Sequence, residues 1–202
     1  DIAENMEHTI RSRNIVILGQ YGFGSVCVGE DFARSFYDMG ICSARTIAKI
    51  KAKALNKVSL EALDKLKGGC LVVENAGLVS PSKLIEIVNL SAKDVKDFVV
   101  ILTGEIDSIS KLFENTAEIL TEFEYLIDMT KITKKDMTKV GMSYIEQRGY
   151  EASDEVAKKI DGMLGGMETG NLDRLIETID NIIDKAEKRD PSAKRIVPKD
   201  FD

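Results

Sequence analysis

Long hydrophobic runs are missing from this sequence: the longest, at 70–73 and 98–102, hold four and five residues, against the roughly 20 that a membrane-spanning helix needs. No secretory leader is visible either. Cysteine is scarce. Cys27, Cys42 and Cys70 form no CxxC pair and, being three, cannot all pair up, which points to reduced thiols in a cytoplasmic protein, with the side chains acting as small buried hydrophobes. The single histidine, His8, stands far from all three in sequence, so no zinc or other metal site is expected. With only 3 prolines, no low-complexity tract, 44% hydrophobic and 31% charged residues, the chain is neither disordered nor fibrous. A basic excess is also absent. The 28 Lys and Arg are outnumbered by 34 Asp and Glu, the net charge is −6, and the bases are interleaved with acids, so neither nucleic acid nor a membrane surface is an expected partner. The sequence starts at Asp1 without an initiator Met and ends at Phe201-Asp202, which suggests a piece of a longer protein.

What is present fits one large domain or two small ones. The first part alternates β-rich runs with helical patterns, the signature of a parallel sheet covered by crossover helices. Strands are expected at 15–18, 46–50, 70–73, 98–102 and 125–127. Helices are expected at 25–39, from Ser59 to Lys67 with Leu60, Leu63 and Leu66 inward, at 81–90 and at 107–115. From Met129 onward no β-rich run appears. Helices are expected at 133–148, 153–164 and 171–188, the last with Leu172, Leu175, Ile176, Ile179, Ile182 and Ile183 on one stripe. The expected organisation is an α/β domain over 1–128, a helical domain over 129–190 and a mobile polar tail over 191–202.

The most informative segment is the glycine-rich turn from Gly19 to Val26, between a strand and a helix. Glycines let successive backbone N–H groups converge on an anion, and the following helix N-terminus adds partial positive charge. The spacing from Gly19 through Gly22 to Gly24 matches G-x-x-x-x-G-[K]-[ST], the phosphate loop. Yet Ser25 stands where a lysine would meet the β- and γ-phosphates, and Val26 where a hydroxyl would ligate magnesium. Such a turn also occurs with no ligand at all. About 50 residues later, Glu74-Asn75-Ala76 ends a strand where a P-loop ATPase carries Asp-Glu-Ala. Asn75 cannot take a proton from a nucleophilic water, and taken alone Glu74-Asn75 is a polar strand end.

Together these segments resemble the AAA+ ATPases, most closely the branch of the red-type rubisco activases and the stage V sporulation ATPase, over about residues 12–188. Asn14 to Gly24 looks like that branch's first strand and loop, Leu66 to Gly77 like its Walker B region, and Val99 to Glu105 like its fourth strand. The resemblance implies a three-layer P-loop NTPase-like α/β fold with strand order 5-1-4-3-2 and a C-terminal helical lid. It also implies sensor-like positions at Thr103, Glu105 and Asp173. The departures all run one way: Leu120, Thr121 and Glu122 precede Phe123 where an arginine finger is due, Asp173 stands near the sensor 2 arginine position, and residues 53–58 carry no aromatic pore loop. This pattern implies a pseudo-ATPase with no catalytic residues and at most weak ATP or ADP binding, whose partners are other AAA+ modules or the rest of its own parent chain. Two alternatives stay open. One is a module that retains adenine nucleotide as a structural ligand or switch. The other is a Rossmann-type oxidoreductase, suggested by Gly22-Phe23-Gly24 but opposed by Cys27 at the third glycine position and by the lack of an acid after the second strand. The lysines Lys49, Lys51, Lys53 and Lys57 read as a solvated surface, and the methionines after Met129 as core filler.

Overall fold

The computed structural model describes residues 13–202; residues 1–12, which hold His8 and the start of the first expected domain, lie outside the described residues. Five parallel strands form one sheet: β1 (Ile15–Leu18), β2 (Ile47–Lys51), β3 (Cys70–Glu74), β4 (Val99–Gly104) and β5 (Tyr125–Asp128), in the order β2-β3-β4-β1-β5. This is the order 5-1-4-3-2 read from the opposite edge. The three central strands are unbroken apolar runs, since a strand covered on both faces has no polar side. All of β1 and β4 and the first four residues of β3 are buried. At one edge, β2 alternates instead, with Lys49 and Lys51 exposed and Ile47 and Ile50 half-buried. Before β1 begins, buried Asn14 accepts the Val100 N–H at 2.8 Å and so extends the ladder.

Crossover helices connect the strands: α1 (Ser25–Asp38), α2 (Ala52–Leu55), α3 (Pro81–Ser91) and α4 (Ile106–Glu114). The helix α1 comes close to the sheet at Gly29, where an added Cβ would stand 3.1 Å from Val72 Cγ1 and 3.3 Å from Ile101 Cγ2. Register aligns Leu18 with Gly104 and Asp128, and Lys51 with Glu74. The ends of all five strands therefore share one carboxyl edge, where open parallel sheets hold their ligands. Because β1 pairs with β4 and β5 and not with β2, the Rossmann alternative is overturned: its order places the first strand beside the second.

Contacts divide the described residues into two units, 13–21 with Ser25–Met129, and Gly22–Gly24 with Thr130–Asp202. The second unit contains α5 (Lys134–Gln147), α6 (Asp154–Met163) and α7 (Leu172–Arg189). A capping box closes the start of α5, where Thr133 Oγ1 accepts the Asp136 N–H at 3.2 Å and Asp136 Oδ2 accepts the Thr133 N–H at 3.0 Å. Along α7 Leu172, Leu175, Ile179, Ile182 and Ile183 of the expected stripe are buried, and Ile176, at its margin, is half-buried. Among the described residues no helix is long and apolar enough to cross a membrane.

The helix expected from Ser59 to Lys67 forms over Leu60–Leu66 as a 3₁₀ helix capped by Ser59. Two expectations are corrected. Cys27 is exposed, although Cys42 and Cys70 are buried. Residues 191–202 are not a mobile polar tail but fold back within the second unit. There the Ile196 N–H donates to Glu151 O at 2.9 Å, Ile196 is 1% exposed, and Asp200 accepts two bonds from the Arg189 guanidinium at 2.8 and 3.1 Å. Burial alone would raise the Asp200 carboxyl, but the Arg189 bonds, the Val197 N–H and the charge of Arg189 outweigh it and hold the group below its ordinary value. A carboxyl depressed by folding stabilises fully above its unfolded value of about 3.9 and loses that contribution as pH falls through the folded value. Thermal unfolding followed in this range should show a steeper acid loss for the native chain than for Asp200→Asn. Equal slopes would mean that the anchor carries no stability.

Candidate functional site

The loop after β1 takes its shape from two glycines, Gly22 at φ +78° and Gly24 at φ +99°, conformations that side chains other than glycine resist. Gly19 anchors its start by donating to Gly104 O at 3.0 Å. Ser25, buried, opens α1 and Val26 is half-buried behind it. In a phosphate loop the amides of this segment would face an anion.

In the first unit, the Tyr21 N–H donates to Glu105 Oε1 at 3.4 Å. Glu105 also accepts from Ile109 N and Ser108 Oγ with its main-chain oxygen, at 3.0 and 2.9 Å, so that it fixes the start of α4. In the second unit, the start of α7 is tied to the loop tip. Leu172 N donates to Phe23 O at 3.0 Å, and Asp173 N lies 3.4 Å from the same oxygen. A Cβ on Gly24 would stand 2.9 Å from Asp173 Oδ1. Arg174, one position on, is exposed, and its N–H is taken by Asn171 Oδ1 at 3.1 Å as the helix cap. Gly24 therefore has two reasons to be glycine, its positive φ and its neighbour. Gly24→Ala is expected to cost about 1 to 3 kcal/mol of stability, read as a lowered unfolding midpoint, with no effect on the helical content of α7.

Of the Walker B-like pair, Glu74 ends β3 half-buried, and Asn75 follows in the left-handed region at φ 56°. Both line a cavity of about 250 Å³ in the first unit together with Tyr21, Lys51, Lys53 and Leu78. Thr103 is 1% exposed and donates its hydroxyl to Val73 O at 3.0 Å. It therefore ties β4 to β3 and has no proton left to offer a ligand. Tyr21 is 62% exposed and Phe23 half-buried. Sequence reading missed Lys51 and Lys53 as cavity-lining residues; the only signal was their place at the end of the second strand.

The donor set does not fit a magnesium nucleotide. Val26 has no oxygen for a metal, no lysine stands in the loop, and a loop amide is bonded to a carboxylate instead of being free for a phosphate. A phosphate placed about 4 Å from the Asp173 carboxylate would meet a repulsion of about 1 to 4 kcal/mol per charge pair, depending on local screening. The missing lysine removes a further charge-assisted bond of about 1.5 to 3 kcal/mol.

No family model matches this chain, and no curated protein matches it. Solved structures do. The Holliday junction branch migration motor RuvB of Thermotoga maritima matches with a TM-score of 0.63 at 14% identity, over 99% of this chain and 63% of that one. The ADP form of the ORC2 protein of Aeropyrum pernix matches with a TM-score of 0.59 at 9% identity, over 94% of this chain and 61% of that one. The chain thus spans about three-fifths of the length of these neighbours. At such low identity the likeness concerns the fold alone: a five-stranded parallel sheet with flanking helices in the P-loop NTPase-like arrangement.

Proposed function

We propose that this chain is a catalytically inactive AAA+ module that acts as a structural or regulatory interaction domain, either within a longer protein or beside other AAA+ modules. The observation that carries this reading is the carboxylate on a loop amide within the first unit, Glu105 Oε1 on the Tyr21 N–H, where an ATPase needs cations. In a working site charge accumulates on the transferred phosphoryl oxygens, and lysine, magnesium and arginine neutralise it. Here the same places hold Ser25, Val26 and Asp173. The strands, caps and the α7 stripe are all formed, and these depend on shape and apolar area instead of on nucleotide contacts. That contrast supports a module whose surface is used and whose chemistry is not. The finer likeness to the rubisco activase and stage V sporulation branch belongs to this same proposal.

Calorimetry with ATP and magnesium tests the loss of affinity, for which millimolar binding or none is expected. Micromolar binding would overturn it. Pull-down with the longer parent protein and light scattering of residues 1–202 test the second half. A tight, nucleotide-dependent hexamer of this chain alone would contradict it.

A second reading has one observation in its favour. Lys51 and Lys53 line the same cavity as Glu74 and Asn75, so cations displaced from the loop are still present at the carboxyl edge of the sheet. On this reading the module holds adenine nucleotide weakly as a structural ligand or switch. Adenine absorbance in the supernatant of the denatured, freshly purified protein would favour it, and loss of that absorbance in Lys51→Ala would tie it to the cavity.

A further inference from the structure

Cys42 and Cys70 are 28 residues apart in sequence, yet their sulfur atoms lie 3.5 Å from one another. Both side chains are buried, at 3% and 1% exposed. Cys70 opens β3, so its position is fixed by ladders to β2 and β4. Cys42 lies in the segment between α1 and β2, where its N–H donates to Phe36 O at 3.0 Å and its sulfur lies 3.6 Å from Gly69 O. The neighbouring Ala44 N–H donates to Gly68 O at 2.9 Å. Ser43 is exposed and Ile41 only half-buried, so the Cys42 sulfur sits one residue beneath the surface. A disulfide needs sulfurs about 2 Å apart, and the remaining approach of about 1.5 Å is within the reach of side-chain rotation on a surface segment.

Charge at this corner is arranged around the same pair. Arg13 donates to Ile41 O at 3.0 Å and to Asp97 Oδ1 at 2.7 Å, which places its guanidinium beside the residue that precedes Cys42. The hydrogen bond between the two thiols and the charge of Arg13 hold Cys42 below the ordinary thiol value, against burial and the charge of Asp97. The same bond and its own burial push the Cys70 thiol far up. The two sulfurs are therefore unequal, with Cys42 the more acidic of the pair.

We propose that Cys42 and Cys70 are an oxidative modification site, a dithiol that a hydroperoxide converts into an intramolecular disulfide. The Cys42 thiolate attacks one peroxide oxygen, the O–O bond breaks, and the leaving hydroxide takes a proton to become water, which leaves a sulfenic acid on Cys42. The Cys70 sulfur then attacks the Cys42 sulfur as it gives up its own proton. The S–S bond forms, the S–O bond breaks and a second water departs. The two sulfurs lose two electrons in total, and hydrogen peroxide takes both. The product ties the segment after α1 to the first residue of β3, at the end of the sheet away from the glycine loop.

The test uses Cys27→Ser, which removes the exposed thiol and leaves the buried pair native. After treatment with hydrogen peroxide and unfolding in the presence of a maleimide, labelling should fall from two thiols to none. Mass spectrometry should find the peptides of Cys42 and Cys70 joined within one chain, and dithiothreitol should restore both labels. Two thiols that still label, oxidation that stops at sulfinic acid, or a disulfide joining two chains would each overturn the proposal. In the same background, Cys70→Ser should trap Cys42 as a sulfenic acid that reacts with dimedone. Cys42→Ser should show at least a tenfold smaller signal at Cys70, and equal signals would overturn Cys42 as the attacking thiol. The first measurement needs no change in the buried pair and stands if either of these variants fails to fold.

Discussion

Incubated with ATP and magnesium, the protein is expected to release no more phosphate than a blank without protein, and partial restoration of the loop should not change this. In the variant that combines Ser25→Lys, Val26→Thr and Asn75→Glu, the lysine, the metal hydroxyl and the general base return, yet Glu105 still bonds the Tyr21 amide and Asp173 still faces Gly24. No arginine precedes Phe123, and an arginine finger alone is worth about 10³ to 10⁵ in rate. Affinity should respond before rate does. Adding Asp173→Arg to the triple variant removes one repulsive charge and supplies an attractive one, so by the contact energies above nucleotide affinity should rise by at least tenfold, from about 1.4 kcal/mol or more. The pair of measurements is phosphate release and calorimetric binding for the native chain, the triple variant and the quadruple variant. Turnover by the native chain that Gly24→Asp abolishes would defeat the inactive reading, and a triple variant that hydrolyses ATP would show that the carboxylates are irrelevant.

How much of this was legible in the residues depended on how local each signal was. The strands β3 and β4 could be read because a strand buried on both faces is an unbroken apolar run. The strand β2 read weakly for the opposite reason, since Lys49 and Lys51 leave an edge strand with little apolar signal. Over 60–66 the leucines recur every three residues, at Leu60, Leu63 and Leu66. That is the period of a 3₁₀ helix, which has 3.0 residues per turn, and the structure adopts it. An α-helix would have drifted that row off one face. The fold-back of 191–202 left no periodic trace because it rests on scattered contacts: the buried side chains of Ile196 and Asp200, and ion pairs of Asp200 with Arg189, Lys194 with Glu187 and Asp202 with Lys159. At the site, the glycines, Glu74 and Asn75 were visible as a motif. The approach of Asp173 to Gly24 was not derivable from spacing, since the two are separated by most of the chain and meet through main-chain bonds to Phe23. Likewise a cysteine at the surface and a cysteine in the core look alike in sequence, and Cys27 was misplaced for that reason.

Ile179→Ala is expected to destabilise the second unit by about 2 to 5 kcal/mol, and the reason can be separated from simple loss of bulk. Ile179 is 0% exposed at the middle of α7, and its Cδ1 would stand 2.9 Å from a Cβ placed on Gly141 of α5, while Ile160 of α6 would stand 3.5 Å from the same point. The helices α5, α6 and α7 thus converge on one position, where Ile179 Cδ1 crowds the space beside Gly141. Truncation of Ile179 opens a cavity there, and the cost of such a cavity adds to the lost transfer energy. Gly141→Ala in the native background sets two effects of similar size against one another. Alanine gains roughly 1 kcal/mol of helix propensity, and the crowding falls on the far end of a side chain that can turn aside. The net change should therefore be small, within about 1 kcal/mol of zero. In the Ile179→Ala background the crowding is gone and the new methyl occupies part of the cavity. There Gly141→Ala should stabilise by about 1 kcal/mol or more, so the double variant is less damaged than the sum of the single ones, with a coupling of about 0.5 to 3 kcal/mol. Urea unfolding of the four proteins, analysed at constant m-value, measures this coupling directly. Strict additivity would mean that Gly141 does not set the close approach of α5, α6 and α7.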